Sequence, residues 1–139
     1  MFRKILHAND GSEPAFRALS LAIGLAEQNQ SELHIVCVEE LPNLPDFIAD
    51  VREARETADR RFENVLLRAR TMAQERSLQV QTHVLVGHVV RDIVELADEI
   101  KAELLVIGAV GHSAIYERLM GSKADRMAQL AHCPVLIVK

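Results

Sequence analysis

Between Gly108 and Lys123 the chain reads GAVGHSAIYERLMGSK, at the point where an apolar strand-like run, AELLVIG, gives way to a helix-like one, ADRMAQLAH. Glycine, serine and lysine at a strand-to-helix junction are the ingredients of a phosphate loop. Glycine admits close backbone approach and positive φ, and a helix N-terminus offers unpaired N–H donors with the positive end of the dipole. The stretch fits neither G-x-x-x-x-G-K-[ST] nor G-x-G-x-x-G. Its own spacing is Gly108-x2-Gly111-x9-Gly121-Ser122, followed by Lys123. Spacing alone leaves two readings open: a phosphate site of another design, or a turn at Gly108 and Gly111 with Ser122 capping a helix.

Asp10, in Asn9-Asp10-Gly11-Ser12, is the second candidate. A carboxylate at the tip of a first strand can accept from a ribose or reach a phosphate-held metal, although Asn-Asp-Gly-Ser is also a strong turn sequence. His7, His34, His83, His88, His112 and His132 show no H-E-x-x-H or other ligand spacing, and His112 alone falls inside the glycine segment. Cys37 and Cys133 lack C-x-x-C spacing and read as reduced structural thiols. No nucleophile has a partnered base, so no catalytic residue is assigned.

These residues need a frame. RKILHAND reads as a first strand; Ser12 is a candidate N-cap, Pro14 suits a first turn, and Ala15, Leu19, Ile23 and Ala26 keep helical spacing. ELHIVCVEE reads as a buried strand, and from about Asp46 to Arg76 Phe47, Val51, Ala54, Ala58, Phe62, Val65, Ala69 and Met72 or Ala73 form a helical stripe. LQVQTHVLVG alternates as a third strand, VVRDIVELADEI is a third helix facing inward through Ile93, Leu96, Ala97 and Ile100, and AELLVIGA, SKADRMAQLAH and PVLIVK complete the alternation. Strand-helix alternation with apolar strands implies a parallel sheet covered on both faces. Such sheets bind ligands beyond the strand carboxyl ends where the order reverses. The segments at Asn9–Gly11, Val38-Glu39 and Gly108–Ser122 are expected as loops on that edge.

The 139 residues suit one domain, 1–139, and 49% hydrophobic with 26% charged residues describes an ordinary globular protein. A net charge of −4 argues against nucleic acid as a partner. The arginines of REARETADRRFENVLLRAR alternate with acids and read as a solvated helix face. No run is long and apolar enough for a membrane span and the N-terminus lacks a signal-peptide pattern, so a cytoplasmic protein without membrane contact is expected.

Three stretches, ILHANDGSEPAFRAL, GHVVRDIVELADEIKAELLVIGAVG and GSKADRMAQLAHCPVLIVK, resemble the universal stress protein family, and the glycine spacing resembles its ATP-binding branch. The resemblance implies a single-domain α/β Rossmann-like fold, of the adenine nucleotide alpha hydrolase-like type, with five parallel strands in the order 3-2-1-4-5. It implies ATP, or AMP or ADP, with Mg2+ as a candidate companion. Adenine would lie near Ala8, Asn9 and Val38, with Asp10 toward the adenosine or metal region. Gly108, Val110 and Gly111 would pass beside ribose and phosphates, which Gly121 and Ser122 would contact. Lys123 and Ala124 stand where ATP-binding members often carry a small or apolar residue and then a hydroxyl, which bears on how many phosphates fit.

The family also implies a homodimer through the last strand, 134–139, and PVLIV is an edge without charge. A regulatory stress role is the leading expectation. The alternatives are an interaction module without nucleotide, or a slow ATPase or autophosphorylating enzyme; neither H-x-G-H nor S-G-G-x-D-S occurs. The excursion HSAIYERLM is expected to pack down through Ile115, Leu119 and Met120 as a lid or dimer contact.

Overall fold

A computed structural model of the chain describes residues 1–41, 48–110 and 120–139, the side chains of 48–51 excepted. Phe47, Val51's side chain, Gly111, His112, Ile115 and Leu119 lie outside the described residues. The described elements alternate as β1 (Lys4–Ala8), α1 (Glu13–Asn29), β2 (Glu32–Glu40), α2 (Ile48–Gln74), β3 (Val80–Gly87), α3 (Val89–Ile100), β4 (Leu104–Gly108), α4 (Ser122–Leu130) and β5 (Val135–Val138). All strand pairs are parallel and the sheet order is β3-β2-β1-β4-β5. This is the Rossmann-like arrangement expected. Among the described residues no helix is long and apolar enough to cross a membrane.

Strand alternation splits the core into two layers. Ile5, Leu33, Ile35, Cys37, Leu104 and Val106 face α1 and α2, whose Phe16, Leu19, Ile23, Phe62, Leu66 and Ala69 complete one cluster. Leu6, Val36, Leu105 and Ile107 face α3 and α4, meeting Val90, Ile93, Leu96, Ala97, Ala124 and Met127. The expected stripe of α2 is observed from Ala58 onward, with Leu66 added to it. Both cysteines are free thiols, and burial pushes Cys37 up to about 12.

Helix boundaries follow local chemistry. Ser12 is the N-cap of α1, its Oγ accepting from the Ala15 N–H at 3.3 Å, and Gln30 ends the helix in the left-handed region at φ 54°. The arginines of α2 do more than face solvent. Arg68 donates to both Glu13 oxygens at 2.8 and 3.2 Å, Arg76 to both of Glu27 at 2.9 and 3.0 Å, and Arg61 to Glu39 at 2.6 Å. These exposed pairs fasten α2 to α1 and β2, each with a modest contribution of about 0.2–1 kcal/mol.

Gly108, read from sequence as room for a ligand, has a packing role. A Cβ there would stand 3.2 Å from the Pro14 carbonyl oxygen and 3.3 Å from its carbon. The missing side chain lets the first turn of α1 press against the end of β4. Gly108→Ala is expected to cost about 1–3 kcal/mol through this overpacking, measured by urea denaturation; an unchanged midpoint would show that the backbone contact yields freely.

Candidate functional site

β1 pairs with β2 on one side and β4 on the other. Leaving their carboxyl ends, the chain turns to α1 on one face and α4 on the opposite face, so a crevice opens between Ala8 and Gly108. Its β1 wall is an interlocked turn. The Asn9 N–H donates to the Val36 carbonyl at 2.9 Å. The Gly11 N–H donates to Asn9 Oδ1 at 2.8 Å, and Ser12 donates through N–H and Oγ–H to Asp10 Oδ1 at 3.0 and 2.5 Å. Gly11 sits at φ 86°, where a side chain would be strained. Asn-Asp-Gly-Ser thus does make the turn its composition suggested, while holding Asp10 at the rim.

Below the turn lies a residue that sequence reasoning passed over. His7 is fully buried; its Nδ1–H donates to the Val106 carbonyl on β4 at 3.0 Å, and its Nε2 accepts from the Asn9 amide Nδ2–H at 3.1 Å. With Gly11 on Asn9 Oδ1, one hydrogen-bonded chain runs from the β4 backbone through an imidazole and an amide into the turn. A carbonyl can only accept, so His7 is fixed as the Nδ1–H tautomer. Burial, opposed by the Val106 bond and the Asp10 charge, lowers its pKa from 6.5 to about 4. The i, i+2 spacing of His7 and Asn9 on a strand was the available signal, because it puts both side chains on one face. Asn9, 3% exposed with both amide atoms engaged, builds the wall rather than reaching into the crevice.

On the β4 side the Gly121 N–H donates to the Ala109 carbonyl at 2.6 Å, and the Ala109 N–H donates to Val138 at 2.8 Å. The segment leaving β4 and the start of α4 are therefore closed onto one another, with Val110 half-buried between them. Gly121, not Ser122, is the N-cap of α4, and no side chain caps the helix. Ser122 and Lys123 are the first exposed helical residues. Ala124 is 4% exposed and packs in the α3–α4 cluster, so a hydroxyl there would be in the core layer, away from solvent. Gly111 lies outside the described residues.

One loop expectation is corrected. Val38 and Glu39 are inside β2, paired with Leu85 and Val86 of β3, because β3 carries the β2 ladder on to Glu40–Gly87, past the end of β1. Val38 is half-buried with Ala8 and Leu85 in the α3–α4 cluster. Of the residues expected to pack down as a lid or dimer contact, Met120 is 45% exposed on its own chain, while Ile115 and Leu119 lie outside the described residues. Among the described residues no group of three or more His, Cys, Asp or Glu side chains is arranged to hold a metal ion.

The buried imidazole makes stability pH-dependent. His7 keeps a lower pKa folded than unfolded, so its contribution is complete above pH 6.5 and is lost as pH falls toward 4. Wild-type unfolding free energy is expected to drop by about 3 kcal/mol across that window from this group, on 1.36 kcal/mol per pKa unit. His7→Leu should show a correspondingly shallower decline in urea titrations between pH 7.5 and 4.5. Equal slopes for the two proteins would exclude a neutral buried His7.

Over residues 1–139 the chain matches the model of the universal stress protein family. Universal stress protein YxiE of Bacillus subtilis is 32% identical, with 100% of this chain and 100% of the relative covered. A solved universal stress protein in complex with cAMP is 31% identical at a TM-score of 0.76, covering 99% of this chain and 97% of that one. The universal stress protein from Archaeoglobus fulgidus in complex with dAMP is 26% identical at a TM-score of 0.65, covering 100% of this chain and 98% of that one. With the match running the length of the sequence and the sheet wound as the resemblance implied, the chain belongs to the universal stress protein family.

Proposed function

We propose that this universal stress protein binds an adenine nucleotide in the crevice between the β1 turn and the start of α4, and acts as a regulatory dimer rather than as an enzyme. The observation that carries the reading is the Gly121–Ala109 closure, which sets an N-terminus without a side-chain cap against the end of β4. Such a terminus suits phosphate oxygens. Ser122 adds a hydroxyl and Lys123 a charge, both exposed. Ala8 and Val38, half-buried neighbours on one face, offer the apolar side that a purine needs, with Asp10 at the rim for ribose. The cAMP and dAMP complexes of relatives support an adenine ligand; we read ATP as the ligand here, its terminal phosphates at Ser122 and Lys123 and any Mg2+ arriving with them. His7 is unsuited to act as a base, since it is fully buried and both ring nitrogens are engaged.

The dimer reading rests on the two sheet edges. Leu41 N–H donates to the Gly87 carbonyl, so the backbone N–H and C=O groups of odd-numbered β3 residues point toward β2 and those of even-numbered ones toward the open edge. On that outer edge Arg55 donates to the Val84 carbonyl and Arg70 to Thr82 Oγ1 at 2.8 Å. Cations guard the β3 edge. β5 has no charged residue, and its four apolar side chains are all half-buried. It is the edge suited to a second copy.

The first test is to denature the purified protein and identify released nucleotide by chromatography, with calorimetric titration of ATP, ADP, AMP and adenosine. Ser122→Asp, which stabilises a helix start yet repels phosphate, should weaken ATP at least about tenfold while leaving adenosine affinity and thermal stability unchanged. ATP affinity equal to wild type would move the phosphates elsewhere. For the dimer, the Val138 carbonyl accepts from the Ala109 N–H and so points toward β4, which leaves the Ile137 N–H facing outward. Ile137→Pro is expected to give a folded monomer by sedimentation, and a persisting dimer would exclude β5 as the interface.

A further inference from the structure

The described histidines away from the crevice include a pair with unusual company. His34 of β2 is 3% exposed, and its Nδ1 lies 2.9 Å from Nε2 of His83 on β3, the rings stacked 13° from parallel with centroids 5.2 Å apart. His34 Nε2–H donates to Glu32 Oε1 at 2.6 Å, and the same oxygen accepts from the Gln81 amide at 3.0 Å. The register pairs His34 with Gln81 and Val36 with His83, so the imidazole bond is a diagonal tie across the β2–β3 seam.

Proton counting decides what this tie can bear. With both rings neutral, His34 donates to Glu32 and accepts from His83. One added proton is also accommodated: His34 becomes a cation that donates to Glu32 and to His83, which turns its remaining proton outward. A second proton leaves N–H facing N–H, with two cations in contact and no acceptor between them. We propose that the His34–His83 pair is an acid-sensitive clasp, holding the edge strand β3 on β2 until both imidazoles are protonated and then loosening it.

The surrounding charges fit that role. Glu32 faces the pair from β2, Glu99 from α3, and Lys4 of β1 stands beside Glu32. Burial first, then the His34 charge, lowers His83 against the pull of Glu99, and the His34 bond lowers Glu32. The sign follows: His83 takes its proton more readily unfolded, so its contribution is present above its ordinary range near 6.5 and declines as pH falls below it. β3 is the strand positioned to respond, because it pairs on one side only. An open surface groove of about 380 Å³, lined by Arg55, Leu85, Glu95 and Glu99 among others, runs alongside it.

Amide hydrogen exchange read by mass spectrometry, corrected for intrinsic rates, tests this on the full chain between pH 7.5 and 5.0. Protection across β3 should fall at least tenfold on acidification while β1 and β4 keep theirs. His83→Phe, which preserves a stacking ring without titration, should remove the pH-dependent loss; His83→Asn serves if the bulkier ring misfolds. Glu32→Gln should shift the midpoint to lower pH, because the cationic pair loses its counter-charge. β3 protection that tracks β1 and β4 throughout, or an uncharged variant that loses protection as wild type does, would overturn the clasp.

Discussion

The short seam between β1 and β4 is the constraint on which the other features depend. Only Ile5–Leu104, Leu6–Leu105 and His7–Val106 are paired across it, yet it is where the sheet reverses its winding. Its side chains anchor both core layers, Ile5, Leu104 and Val106 under α1 and α2, and Leu6 and Leu105 under α3 and α4. His7 reinforces the seam from the side, its imidazole reaching the Val106 carbonyl while its other nitrogen fixes Asn9. A buried polar chain of this kind is stable only when every member is satisfied. Here none of the buried side-chain polar atoms among the described residues lacks a partner.

From that seam the site inherits its shape. α1 can begin close to β4 only because Gly108 has no side chain toward Pro14, and α4 begins close to β4 because Gly121 bonds Ala109. Two glycines that looked alike in a phosphate-loop pattern therefore do separate mechanical jobs, one admitting a helix and the other closing a loop. Among the described residues the rim carries half-buried Asp10 and exposed Ser122 and Lys123.

The two ends of the sheet are treated differently. β3 is long, alternates apolar and polar residues, and is tied by the His34–His83 bond on one side and by Arg55 and Arg70 on the other. β5 is short and uncharged and carries no such attachments among the described residues. An apolar edge without guards is costly in water unless a partner covers it, whereas an edge fastened by titratable groups is sensitive to its proton count.

Fold class was legible in the residues because period and punctuation are local: alternating VLV-type runs, helical stripes and the Asn-Asp-Gly turn each betray themselves within a few positions. Ser12 as a cap, the α2 stripe and the strand-helix order are of that kind. The glycine spacing likewise marked where β4 meets α4, though not what each glycine does. Partnership across the sheet was hidden, because it joins residues 99 apart, as in His7 and Val106, or 49 apart, as in His34 and His83. No local pattern carries such separations. The sequence by itself determined the elements and their order. Only the tertiary structure decided that Val38 stays inside β2, that Ala124 is core and that a neutral histidine holds the turn, since each depends on which strand lies alongside.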